Sequence, residues 1–215
     1  MSDEKMKILV IGPSKSGKSC VANFISGTRD TPTVDYKETS PLRILETTVE
    51  GVKSNGRSKV GRGTRVTVEI WDVGGNSKFQ GCWAACYKSA DGIIFVMNPE
   101  IRNQEKELEM WHKAFAVPAN IPEKHCLIFC HHSSPPENAV GAAAVPTMPN
   151  TLRNIRALET SLDFQSDNFK EAFDKLVETI IQSRRDAEED AQLKLQNDAM
   201  NGPLLVGSAK NELSQ

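Results

Sequence analysis

Two short clusters of residues carry the chemistry that this chain can do. The first is Gly12-Pro13-Ser14-Lys15-Ser16-Gly17-Lys18-Ser19, which reads G-x-x-x-x-G-K-S. Glycines at both ends let the backbone fold tightly and turn its N–H groups inward, a geometry suited to a chain of phosphates. A lysine directly after the second glycine reaches β- and γ-phosphates, and the neighbouring serine hydroxyl ligates Mg²⁺. The candidate phosphate contacts are therefore Gly12, Ser14, Lys15, Ser16, Gly17, Lys18, Ser19 and Cys20. The second cluster is Trp71-Asp72-Val73-Gly74-Gly75. Here Asp72 is the expected second oxygen donor toward the metal, usually through water. The N–H of Gly75 would meet a γ-phosphate. The plain structural alternatives are an ordinary glycine turn and a strand-ending Asp-Gly turn.

Those residues need elements to aim them, and the flanking pattern supplies them. Lys7 to Ile11 is a short apolar run that stops at Gly12, as a strand buried on both faces does. Helical spacing follows from Gly17 to Ile25. Strand, glycine loop and helix is the context that the phosphate motif requires, and the helix aims the positive end of its dipole at the ligand. Leu42 to Val49 and Arg65 to Trp71 are two further strands; in the second, Val66, Val68 and Ile70 alternate with polar residues. Between them, Gly51 to Thr64 holds four glycines and four basic residues and reads as a long, mobile hairpin turn. Ile93 to Met97 and Cys126 to Cys130 read as buried strands, with a helix from Arg102 to Phe115 between them. Ser133 to Asn150 is proline-rich loop with one helical turn at most, replacing a regular helix, and Leu152 to Leu158 fits a sixth strand. From Ser166, Phe169, Phe173, Leu176, Val177, Ile180 and Ile181 form a core-facing helical stripe that ends near Ser183.

Composition narrows the class. The chain has 215 residues, 39% apolar and 25% charged, with a net charge of −2. That is globular, and nothing in the overall charge points to nucleic acid. Five cysteines do not make a secreted disulfide framework, so a reduced, cytoplasmic compartment fits. The polar start gives no signal-peptide core and Ser2 no myristoyl acceptor. No apolar run is long enough to span a bilayer, and no cysteine follows Cys130 to carry a prenyl group. The expectation is a protein with neither lipid anchor nor transmembrane segment.

The order of phosphate loop, Trp-Asp-x-x-Gly and a helix near Phe79 resembles the Ras superfamily, and within it the Rab-like branch. Pro41-Leu42-Arg43-Ile44-Leu45-Glu46, Lys78-Phe79, Cys82-Trp83, Glu109-Met110-Trp111 and His131-His132 narrow the likeness further. Together with Trp71–Gly75 they resemble the Rab-like small GTPase of intraflagellar transport complex B, over Met6 to Ile181. The resemblance implies a P-loop small-GTPase fold: three-layer α/β, a mostly parallel six-stranded sheet and one antiparallel edge strand. It implies GTP/GDP and Mg²⁺ as ligands, and Thr39 as the switch threonine that completes the metal shell, with Thr31 and Thr33 as rivals. It also implies a place at the cilium or flagellum and its base, and the coiled-coil subunits of the transport B complex as partners of a chain that is monomeric on its own.

Two motifs depart from that pattern, and a third keeps it. Relatives carry a glutamine after the glycine matching Gly75, where it orients the attacking water; this chain has Asn76, one methylene shorter. Hydrolysis is expected to be slow or absent. The guanine-reading Asn-Lys-x-Asp is replaced by His131-His132-Ser133-Ser134, which lacks the aspartate. Losing such a charged hydrogen bond weakens discrimination by roughly 1.5–3 kcal/mol, so GTP against ATP is left open. His132 is expected to lay its ring on the base. Glu159-Thr160-Ser161-Leu162 matches the last family motif, with Ser161 and Leu162 at the base.

Other signals are weaker. Cys82/Cys86 and Cys126/Cys130 have zinc-like spacing, but free core cysteine is the simpler reading. Trp71 and Trp83 are read either as partner anchors or as core. The expected organisation is a nucleotide-binding domain over 1–183 and a polar, helical extension and tail over 184–215. The functional alternative to a nucleotide-dependent binding module is an active NTPase or P-loop kinase.

Overall fold

The computed structural model describes residues 3–28, 37–52, 64–132, 147–161 and 166–201. Its sheet has six strands: β1 (Asp3–Ile11), β2 (Leu42–Val52), β3 (Thr64–Val73), β4 (Gly92–Met97), β5 (Cys126–His131) and β6 (Arg156–Thr160). Their order is β2-β3-β1-β4-β5-β6. All pairs are parallel except β2 with β3 at one edge. This is the expected mostly parallel α/β sheet with one antiparallel edge strand.

The alternation in β1 explains the three layers. Met6, Ile8 and Val10 face one side and join Val68, Ile70, Val96 and Phe129 beneath α1 (Lys18–Ile25) and α4 (Ser166–Asn201). Leu9 and Ile11 face the other side, under α2 (Trp83–Tyr87) and α3 (Gln104–Trp111). That second core is aromatic: Trp83, Trp111 and Phe115 stack with ring centroids 4.7 to 5.5 Å apart. Truncating a side chain as buried as Trp111 costs about 3–5 kcal/mol. Trp83 is thus core, not a partner anchor. Trp71 is half-buried on β3, with the Lys7 ammonium 3.4 Å from its ring.

Several boundaries differ from expectation. The sixth strand lies at Arg156–Thr160, not Leu152–Leu158. Leu152 and Ile155 are buried from a turn, so their apolar character reports core and not strand. The α3 helix starts at Gln104 after a left-handed Asn103 (φ 67°) and runs into a π-helical turn, His112–Ala116. A 3₁₀ helix, Ser77–Cys82, precedes α2. Most of the Gly51–Thr64 turn and of the Ser133–Asn150 stretch lies outside the described residues.

The α4 helix is continuous for 36 residues, about 54 Å at 1.5 Å per residue. Its apolar stripe ends at Ile181. Arg184 then pairs with Asp91 at 2.6 Å and Arg185 with Glu4 at 3.2 Å. From Asp186 to Asp198 its side chains are exposed.

Candidate functional site

The carboxyl ends of β1, β3, β4, β5 and β6 share one edge of the sheet, where ligands of open parallel sheets bind. The loop after β1 is fixed there by two close approaches. Gly12 has φ +146°, and a Cβ on it would stand 2.1 Å from the Val96 carbonyl oxygen. Gly17 has φ +89°, and a Cβ there would stand 2.3 Å from Cδ2 of His131. Only glycine fits either place. Lys15 between them is also left-handed, at φ 62°. No side chain caps the first turn of α1 and no acidic residue sits in it, so its N–H groups suit an anion.

Lys18 is buried. Its ammonium donates to the Pro13 carbonyl at 2.6 Å and toward Ser16 Oγ at 3.4 Å. Burial lowers its pKa to about 8, against the opposing pull of Asp72. Gly75 lies on this lysine: a Cβ at Gly75 would stand 2.6 Å from Lys18 Nζ and 2.8 Å from Ser14 N. Its neighbour Gly74 donates its N–H to the Pro41 carbonyl at 2.7 Å, and a Cβ there would stand 2.6 Å from the Thr39 carbonyl oxygen. The glycine pair therefore touches the phosphate loop on one side and the segment around Thr39 on the other.

Three oxygen donors converge beside the loop. The hydroxyls of Ser19 and Thr39 share a hydrogen bond of 2.8 Å, and Thr39 Oγ1 donates to Asp72 Oδ2 at 3.4 Å. Asp72 is fully buried. Burial pushes its carboxyl pKa up, opposed by Ser19, Arg43 and Lys18. Its Oδ1 has no hydrogen-bond partner among the described residues. Two hydroxyls and a carboxylate with an unsatisfied buried oxygen make the hard donor set that Mg²⁺ takes. The residues present fit that ion. The rival threonines, Thr31 and Thr33, lie outside the described residues.

Two residues complete this centre that sequence reasoning did not single out. Arg43, from β2, donates from Nε to Asp72 Oδ2 at 3.1 Å and from Nη2 to Asn23 Oδ1 at 2.7 Å. Gln104, buried at the start of α3, donates from Nε2 to the Ser14 carbonyl at 3.1 Å and accepts the Asn98 N–H at 2.7 Å. Arg43 lies within the Pro41–Glu46 segment of the family likeness, but that likeness gives the arginine no role, and no motif signals Gln104. Arg43 sits directly opposite Asp72 in the β2–β3 register, which becomes informative only once the pairing is known.

Asn76 is engaged elsewhere. Its side-chain oxygen accepts the Lys78 N–H at 3.0 Å and caps the 3₁₀ helix, and its side chain also bonds Glu38. Glu38 pairs with the Lys78 ammonium at 2.8 Å; that hydrogen bond, with the one from Asn76, lowers the Glu38 pKa.

At the far end of the edge, His131 packs on Gly17 and, edge-on, on Phe169, while His132 is mostly buried. The His132 backbone N–H donates to the Thr160 carbonyl at 2.9 Å. Its ring is held between two carboxylates: Nε2 hydrogen-bonds Glu159, and Nδ1 lies 3.4 Å from Glu100 Oε1. Ser161 is buried beside them, whereas Ser133, Ser134 and Leu162 lie outside the described residues. The candidate zinc cysteines Cys126 and Cys130 are core thiols, pushed up to about 12 by burial.

The chain is similar to known proteins in both sequence and fold. The family described as Ras of Complex, Roc, domain of DAPkinase matches residues 7–133, more than half of the chain. Intraflagellar transport protein 22 of Trypanosoma brucei brucei is 53% identical, covering 95% of this chain and 99% of that protein. The mouse intraflagellar transport protein 22 homolog is 34% identical, covering 86% and 96%. Among solved structures, GDP-bound T. brucei IFT22 superimposes with a TM-score of 0.64 at 52% identity, covering 85% of this chain and 99% of that one. The GTP-bound T. brucei IFT22/74/81 structure gives 0.68 at 56% identity, covering 86% and 99%.

Proposed function

This chain belongs to the intraflagellar transport protein 22 family of Rab-like small GTPases, and on that premise we propose that it binds GTP and GDP with Mg²⁺ and serves as a nucleotide-dependent binding subunit of the intraflagellar transport machinery. The observation that carries this reading is the double contact of Gly74 and Gly75, on the phosphate loop at Lys18 and on the Thr39 segment. A third phosphate held by Lys18 would be felt by both segments, which is how such loops are ordered by a γ-phosphate.

In this reading the loop from Gly12 to Cys20 and Gly75 hold the phosphates. Ser19 and Thr39 supply metal ligands and Asp72 supports them. Mg²⁺ held by these oxygens would supply positive charge against the phosphates. His132, fixed by Glu159 and Glu100, presents its ring to the base, with Ser161 and Leu162 closing that end. Asn76, tied to Lys78 and Glu38, is poorly placed to orient water, so hydrolysis is slow and nucleotide state acts chiefly through binding. The binding domain is 1–183, with 184–215 as a polar C-terminal extension that begins within α4.

The relative whose structure contains IFT74 and IFT81 supports the same pair of coiled-coil transport-B subunits as partners. The names of the relatives place them in intraflagellar transport, which supports the cilium or flagellum and its base, reached from the cytoplasm. Five free cysteines suit that reducing compartment. No helix among the described residues is long and apolar enough to cross a membrane. The chain alone is read as a monomer.

The test has two parts. Mass analysis of the nucleotide that copurifies should give GDP or GTP, and capture of the paired subunits should be stronger with a non-hydrolysable GTP analogue than with GDP. Copurified ATP would defeat the guanine assignment, and equal capture in both states would defeat the nucleotide-dependent role.

A further inference from the structure

Arg43 occupies an unusual place for a cation. It stands opposite Asp72 across the antiparallel β2–β3 pair, and the register puts both side chains on the α1 face of the sheet. Its Nε donates to Asp72 Oδ2 at 3.1 Å, while Nη2 is anchored 2.7 Å away on Asn23 of α1. The guanidinium is thus held at two points, on a carboxylate that has no exposed surface. The fork is always charged and keeps this geometry with little loss of freedom.

Resting on the reading that Asp72 serves the magnesium site, we propose that Arg43 is a built-in counter-cation there, so that this chain keeps its nucleotide with little dependence on the metal. Two consequences follow from charge alone. When Mg²⁺ is withdrawn, a lone buried Asp72 would repel the adjacent phosphates; paired with Arg43 it does not. When Mg²⁺ is present, the fixed positive charge beside Asp72 opposes it, which lowers metal affinity. Asp72 Oδ2 is taken by Arg43 and Thr39, which leaves Oδ1 as the oxygen available toward the metal, directly or through water.

The experiment uses the full chain loaded with fluorescent mant-GDP, with release followed in Mg²⁺ and after EDTA. In the parent, chelation should speed release by less than about threefold. In Arg43→Gln it should speed release by roughly tenfold to a hundredfold, the worth of one charge-assisted hydrogen bond. Mn²⁺ affinity of the GDP complex, read by electron paramagnetic resonance, should rise in Arg43→Gln. Arg43→Lys keeps the charge and should restore the parental response to EDTA, which a merely structural arginine would not predict. It also carries the test should Arg43→Gln fail to fold, because a Lys variant that releases nucleotide on chelation as fast as a metal-dependent site overturns the proposal. So does a parent whose release accelerates by tenfold or more. A chain that binds no mant-GDP in either condition overturns the underlying reading of the site as well.

Discussion

The hydroxyl oxygens of Ser19 and Thr39 stand 2.8 Å apart, although 20 positions separate them in sequence. Ser19 is fixed by the first turn of α1, whereas Thr39 lies in irregular chain just before β2. Their approach joins the phosphate loop to a segment that no regular element holds. Thr39→Ala removes one oxygen from this pair and its bond to Asp72. Affinity for GTP should fall roughly tenfold to a hundredfold, the range for a charge-assisted contact, and affinity for GDP by less than about threefold. Equal losses for both nucleotides, read by calorimetry, would show that Thr39 does not sense the third phosphate.

Gln104 holds the phosphate loop from behind. One amide spans the Ser14 carbonyl and the Asn98 N–H inside the protein. Gln104→Glu keeps an acceptor for Asn98 but sets a carboxylate against the Ser14 carbonyl. We expect about 1–3 kcal/mol less nucleotide affinity, felt alike by GDP, GTP and ITP because the damage lies at the phosphates. A loss confined to one base would place Gln104's influence elsewhere.

Asn76→Gln lengthens the amide by one methylene and weakens the cap on Lys78 N–H. Single-turnover hydrolysis of GTP should rise, by about 10-fold or more if water positioning is the missing element. Unchanged turnover would remove the present account of slow hydrolysis.

Lys18 gives the site a pH dependence. Its ammonium sheds its proton near pH 8 in the folded chain, against 10.5 for an unhindered lysine, because burial penalises the charge. Between those values the folded state holds fewer protons than the unfolded one. Stability of the nucleotide-free protein should therefore rise with pH across that window, with the burial penalty present in full below pH 8. Bound phosphate favours the charged form, so binding above pH 8 takes up a proton. Affinity for GDP should fall by up to about tenfold per pH unit above 8. A flat affinity from pH 7.5 to 9.5 would contradict this.

Much of this was legible in the residues. The glycine loop, the strand-ending Asp72 and the apolar run of each central strand announce themselves, because each obeys a local rule. The misplaced sixth strand shows where local rules fail: Leu152 and Ile155 are apolar because a turn carries them into the core, while β6 holds the polar Arg156, Glu159 and Thr160. The first residues of β1, Asp3 to Lys5, are likewise too polar to announce a strand and are recruited by pairing with Arg65 to Thr67. The roles of Arg43 and Gln104 were invisible for a related reason. A lone arginine in a strand and a glutamine in a charged helix usually face water, and only the register and the packing of α3 reveal what they touch. Asn76 was singled out, but its capture by Lys78 and Glu38 depends on contacts that the spacing does not encode.

The most direct test replaces Lys18 and Ser19 together by alanine in the full chain and measures the purine nucleotide retained, by mass, after purification and after GDP or GTP titration. The double variant should fold, yet carry and bind none at concentrations that saturate the parent. A double variant that retains nucleotide as the parent does would contradict the assignment of the phosphate site.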